Sequence, residues 1–262
     1  MKIKILFSLL FFTTIVFSQN KGLVYYGYIE ALLDGNAKGA DSNAYLVFNK
    51  EQSYYVTAKD SLEKTAKINS MTVYKKNYEG KREYTGKRSA QGDQVVYNIK
   101  ANTMWSNLYF DKQIYVKDEA TKLNWKLSTE SKKIGNFLCK KATTFFRGRN
   151  YTAWYTSKIA IPFGPWKLHG LPGLILEAYD TEKNVYWYFK SAEYPSNTKE
   201  NVNSIRKAKG GKPIQFVNQT AFNKFRLDRQ EEAIDVNRMN QKNFKGVIFI
   251  DPKLSELFVE FE

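Results

Sequence analysis

His169 is the only histidine in the chain and Cys139 the only cysteine. Those two counts bound the reactive chemistry. A structural zinc site needs several thiolate or imidazole ligands, so no metal is expected. A Ser-His-Asp relay would have to run through His169, and no Gly-x-Ser-x-Gly elbow is present. Residue type permits a Cys139–His169 dyad. Yet Cys139 stands in FLCKKATTFF, an apolar alternation where a small buried hydrophobe is the plainer reading. KGGKP (209–213) lacks the hydroxyl and the following helix of a phosphate loop. Glu30, Glu177 and Asp180 are the carboxylates to weigh for paired acid–base hydrolysis. Nothing in the sequence pairs any two of them, and exposed sheet-face charges are the better account of them. No cofactor and no catalytic residue is therefore expected, and the function expected is non-enzymatic.

Binding chemistry is better represented. Arg147 and Arg149 flank a turn beside Phe145, Phe146, Tyr151 and Trp154, and Trp166 and His169 follow shortly after. Arginine among aromatics is a common composition of contact surfaces. The predicted binding site is the place where Arg147, Trp154, Trp166 and His169 meet. The competing reading puts the aromatics in the core and the arginines in solvent.

The elements that must position these residues read as strands. Tyr and Phe number 18 each, and both favour strands. GLVYYGYIEA (22–31) and AYLVFNKEQSYYV (44–56) alternate with period two around a Gly/Asn/Asp-rich linker. Four shorter segments follow between residues 94 and 129. FLCKKATTFF and YTAWYTSKI are joined by RGRN, where Gly148 is free to take positive φ, so a hairpin is predicted. In GPWKLHGLPGLILEAYD (164–180), Pro165 and Pro172 bend the chain, and Leu171-Pro172-Gly173-Leu174 predicts a type II turn. LILEAY and NVYWYFKSAEY then predict two more strands. SLEKTAKINSM (61–71) is a short helix or a loop. Residues 195–213 read as a flexible basic loop. Residues 218–241 carry Phe222, Phe225, Ile234 and Met239 at helical spacing, which predicts one long helix lying on the sheet. The fold class is mainly β (α+β): a curved antiparallel sheet or half-barrel of about ten strands, one apolar face per strand, covered by that helix.

MKIKILFSLLFFTTIVFS (1–18) has the basic start and apolar run of a signal peptide. Its removal leaves a single domain, 19–262, with no transmembrane segment, expected in the periplasm or at the outer-membrane periphery. The formal charge of +15 includes Lys2 and Lys4 of that segment. The remaining lysines are scattered rather than gathered on one helix, which excludes nucleic acid as the expected partner. One cysteine allows no internal disulfide, so stability must come from packing.

GPWKLHGLPGLILEAYD, with FLCKKATTFFRGRNYTAWYTSKIAIPF before it, resembles the GLPGLI family of exported Bacteroidetes proteins. The motif stands here as Gly170-Leu171-Pro172-Gly173-Leu174-Ile175, preceded by Gly164-Pro165, and the similarity is strongest over about 123–190. The resemblance implies export and a structural motif, without a reaction or cofactor. Its strand pattern is similar to that of half-barrel lipoprotein carriers of the envelope, a likeness of fold only. Three functions follow as expectations. The first is an envelope protein that binds a lipid, peptide or partner protein through an aromatic-rich sheet. The second is an accessory or structural subunit of an outer-membrane assembly. The third is a carboxylate-dependent hydrolase.

Overall fold

The computed structural model describes residues 21–57, 72–74, 83–85, 93–110, 112–202, 214–244, 246 and 248–261. The signal segment, the 61–71 stretch and residues 203–213 of the basic loop lie outside the described residues.

Three antiparallel runs build one sheet. The first is β1 (Gly22–Glu30), β2 (Ala40–Phe48) and β3 (Gln52–Thr57). β4 (Thr72–Tyr74) and β5 (Glu83–Thr85) pair separately. The second run is β6 (Gln94–Asn98), β7 (Thr103–Phe110) and β8 (Lys112–Glu119). The third is β9 (Lys126–Ile134), β10 (Phe137–Phe146), β11 (Arg149–Thr156), β12 (Leu174–Asp180) and β13 (Val185–Glu193). β14 (Phe216–Val217) precedes the long helix α1 (Gln219–Asn243) and the single turn α2 (Leu254–Leu257). The spatial order is β14-β8-β7-β6-β3-β2-β1-β13-β12-β11-β10-β9. β1 thus joins the runs, pairing β2 on one side and β13 on the other.

The mainly β class agrees with the expectation, and three details differ. The main sheet has 12 strands rather than about ten, and it does not close. It is mixed, because β14 adds parallel to β8. Its central strands bury both faces rather than one. Val24, Tyr26, Leu46, Tyr55 and Val95 enter one core, while Leu23, Tyr45, Val47, Tyr54, Val56 and Val96 enter a second. Adjacent residues of one strand point to opposite sides, so the run YLVF is apolar throughout because neither side faces water.

α1 also departs from expectation. Asn218 caps it, its Oδ1 accepting from the Ala221 N–H at 2.8 Å. Only Phe222 and Arg226 of the helix are buried. Leu227, Val236 and Met239 are exposed, so the helix docks by its first turns and does not cover the sheet. A charged helix with few large apolar residues has too little apolar area to bury along its whole length. Among the described residues, no helix is long and apolar enough to cross a membrane.

Candidate functional site

The predicted hairpin is present. β10 and β11 pair from Lys140↔Tyr155 to Phe146↔Arg149. Arg147 and Gly148 make the two-residue turn, at φ 51° and 85°, the double positive φ that matches strand twist. Gly148 is needed for a second reason, because an added Cβ would press on the Phe261 ring at 2.6 Å.

From β11 the chain crosses the sheet as an irregular segment, 157–173, before re-entering it as β12. Its backbone is tied at several points. Leu174 and Ile175 donate to the carbonyls of Ile159 and Phe163, and Gly170 donates to Pro162 at 2.9 Å. Phe163 and His169 form a β-bridge. Leu168, Leu171 and Leu174 are almost fully buried beneath it. Its predicted type II turn is a tighter one. The Gly173 N–H donates to Leu171 O at 2.7 Å, closing three residues around Pro172. Glycine is still required at 173, because a Cβ there would collide with the Thr156 carbonyl. Trp166 adopts φ 53°, a left-handed conformation that costs a bulky residue roughly 1–3 kcal/mol. Its ring is held in compensation: it stacks on Trp187 at 5.9 Å and 13°, and meets Phe146 and Tyr151. Tyr28 stacks on Trp187 at 5.3 Å, making a three-ring pile.

Beside this pile lies a cavity of about 140 Å³. Tyr28, Tyr55, Trp166 and Trp187 line its aromatic side. Glu30, Asp93, Gln94 and Asn107 supply polar groups from the strand ends. Phe222 and Phe225 of α1 and residues 257–260 close it. Glu30 accepts from the Tyr28 hydroxyl at 2.5 Å.

Charge is concentrated where residues 254–261 seat on this face. Lys167 donates to Glu260 at 2.6 Å, and both side chains are almost wholly buried. The Arg147 Nε lies 3.7 Å from the other Glu260 oxygen, and Arg226 donates to the Glu260 carbonyl. Burial pushes the Glu260 carboxyl up, but Lys167, Arg147 and Arg226 outweigh it and hold the group below the usual carboxylate range. Burial lowers the Lys167 amine, with the neighbouring arginines adding to the effect and Glu260 opposing it. Arg149, 5 % exposed, pairs with Asp180 at 2.9 Å. It also donates to the carbonyls of Ser255, Phe258 and Val259.

The four predicted binding residues do not all meet. Arg147 and His169 line one small cavity of about 20 Å³, with Lys167 between them. Trp166 lines the larger cavity next to it. Trp154 is on the opposite face: it registers with Lys141 and Glu177, whereas Ala153, Ala178 and Trp187 share the face of the aromatic pile. The Lys132 amine sits 4.4 Å over the Trp154 ring and pairs with Glu177. Arg147 is largely buried against Glu260, so it is not a solvated contact residue.

His169 is also tied into the fold. Its Nδ1 donates to Lys167 O at 2.9 Å and its ring lies 4.3 Å from Tyr97. Burial lowers its pKa below the usual value, and the bond to Lys167 O opposes this only in part. Ser106, Asp118 and Glu119 line the same small cavity. Room for about one water leaves no space for a substrate beside the ring. Cys139 is fully buried, and burial pushes its thiol up to about 11. Glu177 and Asp180 are both committed to ion pairs. Among the described residues, no group of three or more His, Cys, Asp or Glu could hold a metal.

Lys167, Arg149, Trp187 and Glu260 were not among the predicted site residues. The apolar–acid alternation of VEFE (259–262) was the available signal for Glu260. A lysine or arginine gives no sequence signal of burial, since both types are mostly exposed.

Residues 147–177 match a family model described as a protein of unknown function (Porph_ging). The matched span holds Gly164-Pro165, Gly170–Ile175, three of the four predicted binding positions beyond the turn, and Arg147 at its start. No curated protein matches the sequence. Two solved structures of PNGF-II, in the P21 and C2 space groups, are similar in fold. They are 15 % and 16 % identical, with TM-scores of 0.52 and 0.51. Each alignment covers 78 % of this chain and 32 % of the PNGF-II chain, so the chain spans about a third of the length it matches.

Proposed function

We propose that the chain is an exported, non-enzymatic envelope protein of GLPGLI type that captures a peptide or protein partner by one side chain or ring. The observation that carries this reading is the 140 Å³ cavity beside the Tyr28–Trp187–Trp166 pile. A cavity of roughly 150 Å³ holds one benzene ring. That size suits one ring or one side chain and is too small to enclose a long acyl chain, so a lipid is disfavoured among the expected ligands. Glu30, Asp93, Gln94 and Asn107 would orient the polar end of such a group.

The test is capture from native envelopes, with the bound material analysed for peptide, lipid and cleaved product. Trp166→Ala is expected to lower capture at least tenfold while the protein stays folded, because only part of the aromatic pile is removed. Equal capture by a folded Trp166→Ala protein would sink the cavity assignment. Release of cleaved product, lost in Glu30→Gln, would favour the hydrolase reading instead. A second reading, an accessory subunit of an outer-membrane assembly, is favoured by exposed Val236, Met239, Phe244, Ile248 and Ile250 at the distal end of α1 and beyond.

A further inference from the structure

The seat of residues 254–261 is built unlike the rest of the molecule. Among the described residues, the only backbone–backbone hydrogen bond from this stretch to a residue beyond its own N-cap, Lys253, is Phe261 N–H to Arg147 O, long at 3.4 Å. Everything else that fixes it comes from side chains. Arg149 reads backbone, donating to three carbonyls of the stretch whatever its sequence. The cavity face takes Leu257 and Phe258. Lys167, Arg147 and Arg226 converge on Glu260, two residues after Phe258. The seat therefore reads a helical turn that runs into extended backbone at Phe258, an apolar or aromatic side chain, and a carboxylate two positions on.

Asp180 pairs with Arg149, Lys167 and Arg147 share the Glu260 carboxylate, and Arg226 donates to the Glu260 backbone carbonyl. An emptied seat would leave the Lys167 and Arg147 cations side by side without the carboxylate they share, and like charges that close are unfavourable. The stretch can leave this seat readily only in exchange for another anion.

We propose that this seat is a recognition site for an acidic peptide segment of a partner protein, of the pattern aromatic-x-Glu, held closed by the chain's own residues 254–261 as an internal competitor. The occupant seen in the seat defines the chemistry of the one that replaces it. An internal segment on a short linker competes at an effective concentration on the order of millimolar, so a partner prevails when it is tethered, abundant, or able to make further contacts. The seat adjoins the cavity beside Trp166, because residues 257–260 line both.

The test uses the full chain and a labelled peptide of residues 254–261, LSELFVEF. Glu260→Gln removes the competitor's charge and is expected to bind the peptide at least tenfold more tightly than the unaltered chain. A peptide with Gln in place of its second Glu should bind at least tenfold more weakly. Where Glu260→Gln fails to fold, Phe258→Ala serves instead, since it loosens the internal segment and keeps every charge paired. A folded variant that binds no better than the unaltered chain, or binds Glu and Gln peptides equally, overturns the proposal. Trp166→Ala serves as the separating control: capture lost there with peptide exchange intact assigns the two sites independently.

Discussion

Two irregular segments cross the same face of the sheet, and they are held in opposite ways. Residues 157–173 are fixed by backbone hydrogen bonds to β-strand neighbours and by leucines sunk in the core. Residues 254–261 are fixed by arginine and lysine side chains, with one long backbone bond. Backbone ladders and buried leucines form part of the cooperative core, whereas side-chain attachments can open locally. The first segment is framework, and the second is expected to open before it.

Gly173→Val should give the largest effect. Its Cβ would meet the Thr156 carbonyl, a backbone atom that cannot step aside, so overpacking and strain together cost about 5 kcal/mol. A denaturant titration checks this, and a near-normal midpoint would show that 157–173 is as yielding as 254–261. Arg149→Met should cost less, about 3 kcal/mol, the low end for breaking a buried pair. Asp180 keeps its bonds from Val185 N and Asn184 Nδ2. Hydrogen exchange should rise across 254–261 first. Uniform acceleration through the sheet would erase the contrast between the two segments.

Acid should act through both segments with the same sign. His169 is pushed below its ordinary pKa by burial, so the folded state resists its protonation and stability falls as pH drops below about 6.5. His169→Gln should flatten that step, because the chain has no other histidine. Glu260 is also held down, so its contribution is complete above the ordinary carboxylate pKa and is lost as pH falls further. Melting temperature against pH for the unaltered chain and the Gln variant checks both steps. An unchanged step near neutrality in His169→Gln would sever it from the crossing segment. Met239→Ser is the smallest change. The residue is 63 % exposed, so stability should shift by less than about 0.5 kcal/mol. A larger loss in a thermal melt would mean that α1 covers the sheet after all.

The strands around the motif were legible because their signals are local. Alternation in FLCKKATTFF and YTAWYTSKI, and Gly148 between them, define β10, β11 and their turn without reference to the rest of the chain. The glycine requirement at 173 was legible too, though its cause was not. Type II turn chemistry predicts the residue, while the reason is the Thr156 carbonyl, 17 positions earlier and brought alongside by the fold. The helix misled because spacing near three and four marks a helix but does not say what lies opposite its apolar face. Trp154 misled because nearness in sequence to Arg147 says nothing about the face it takes once β11 is paired.

The sequence by itself determined the class of element, the hairpin, the bends at Pro165 and Pro172, and the scarcity of reactive groups, since propensity, period and residue counts are properties of short stretches. Only the tertiary structure decided that Lys167, Arg147 and Arg226 gather on Glu260 and that Arg149 grips residues 255–259. Burial of a charge depends on partners some ninety to a hundred and ten positions away. No local pattern encodes that pairing, because water would satisfy each of those groups equally well until the sheet brings them together.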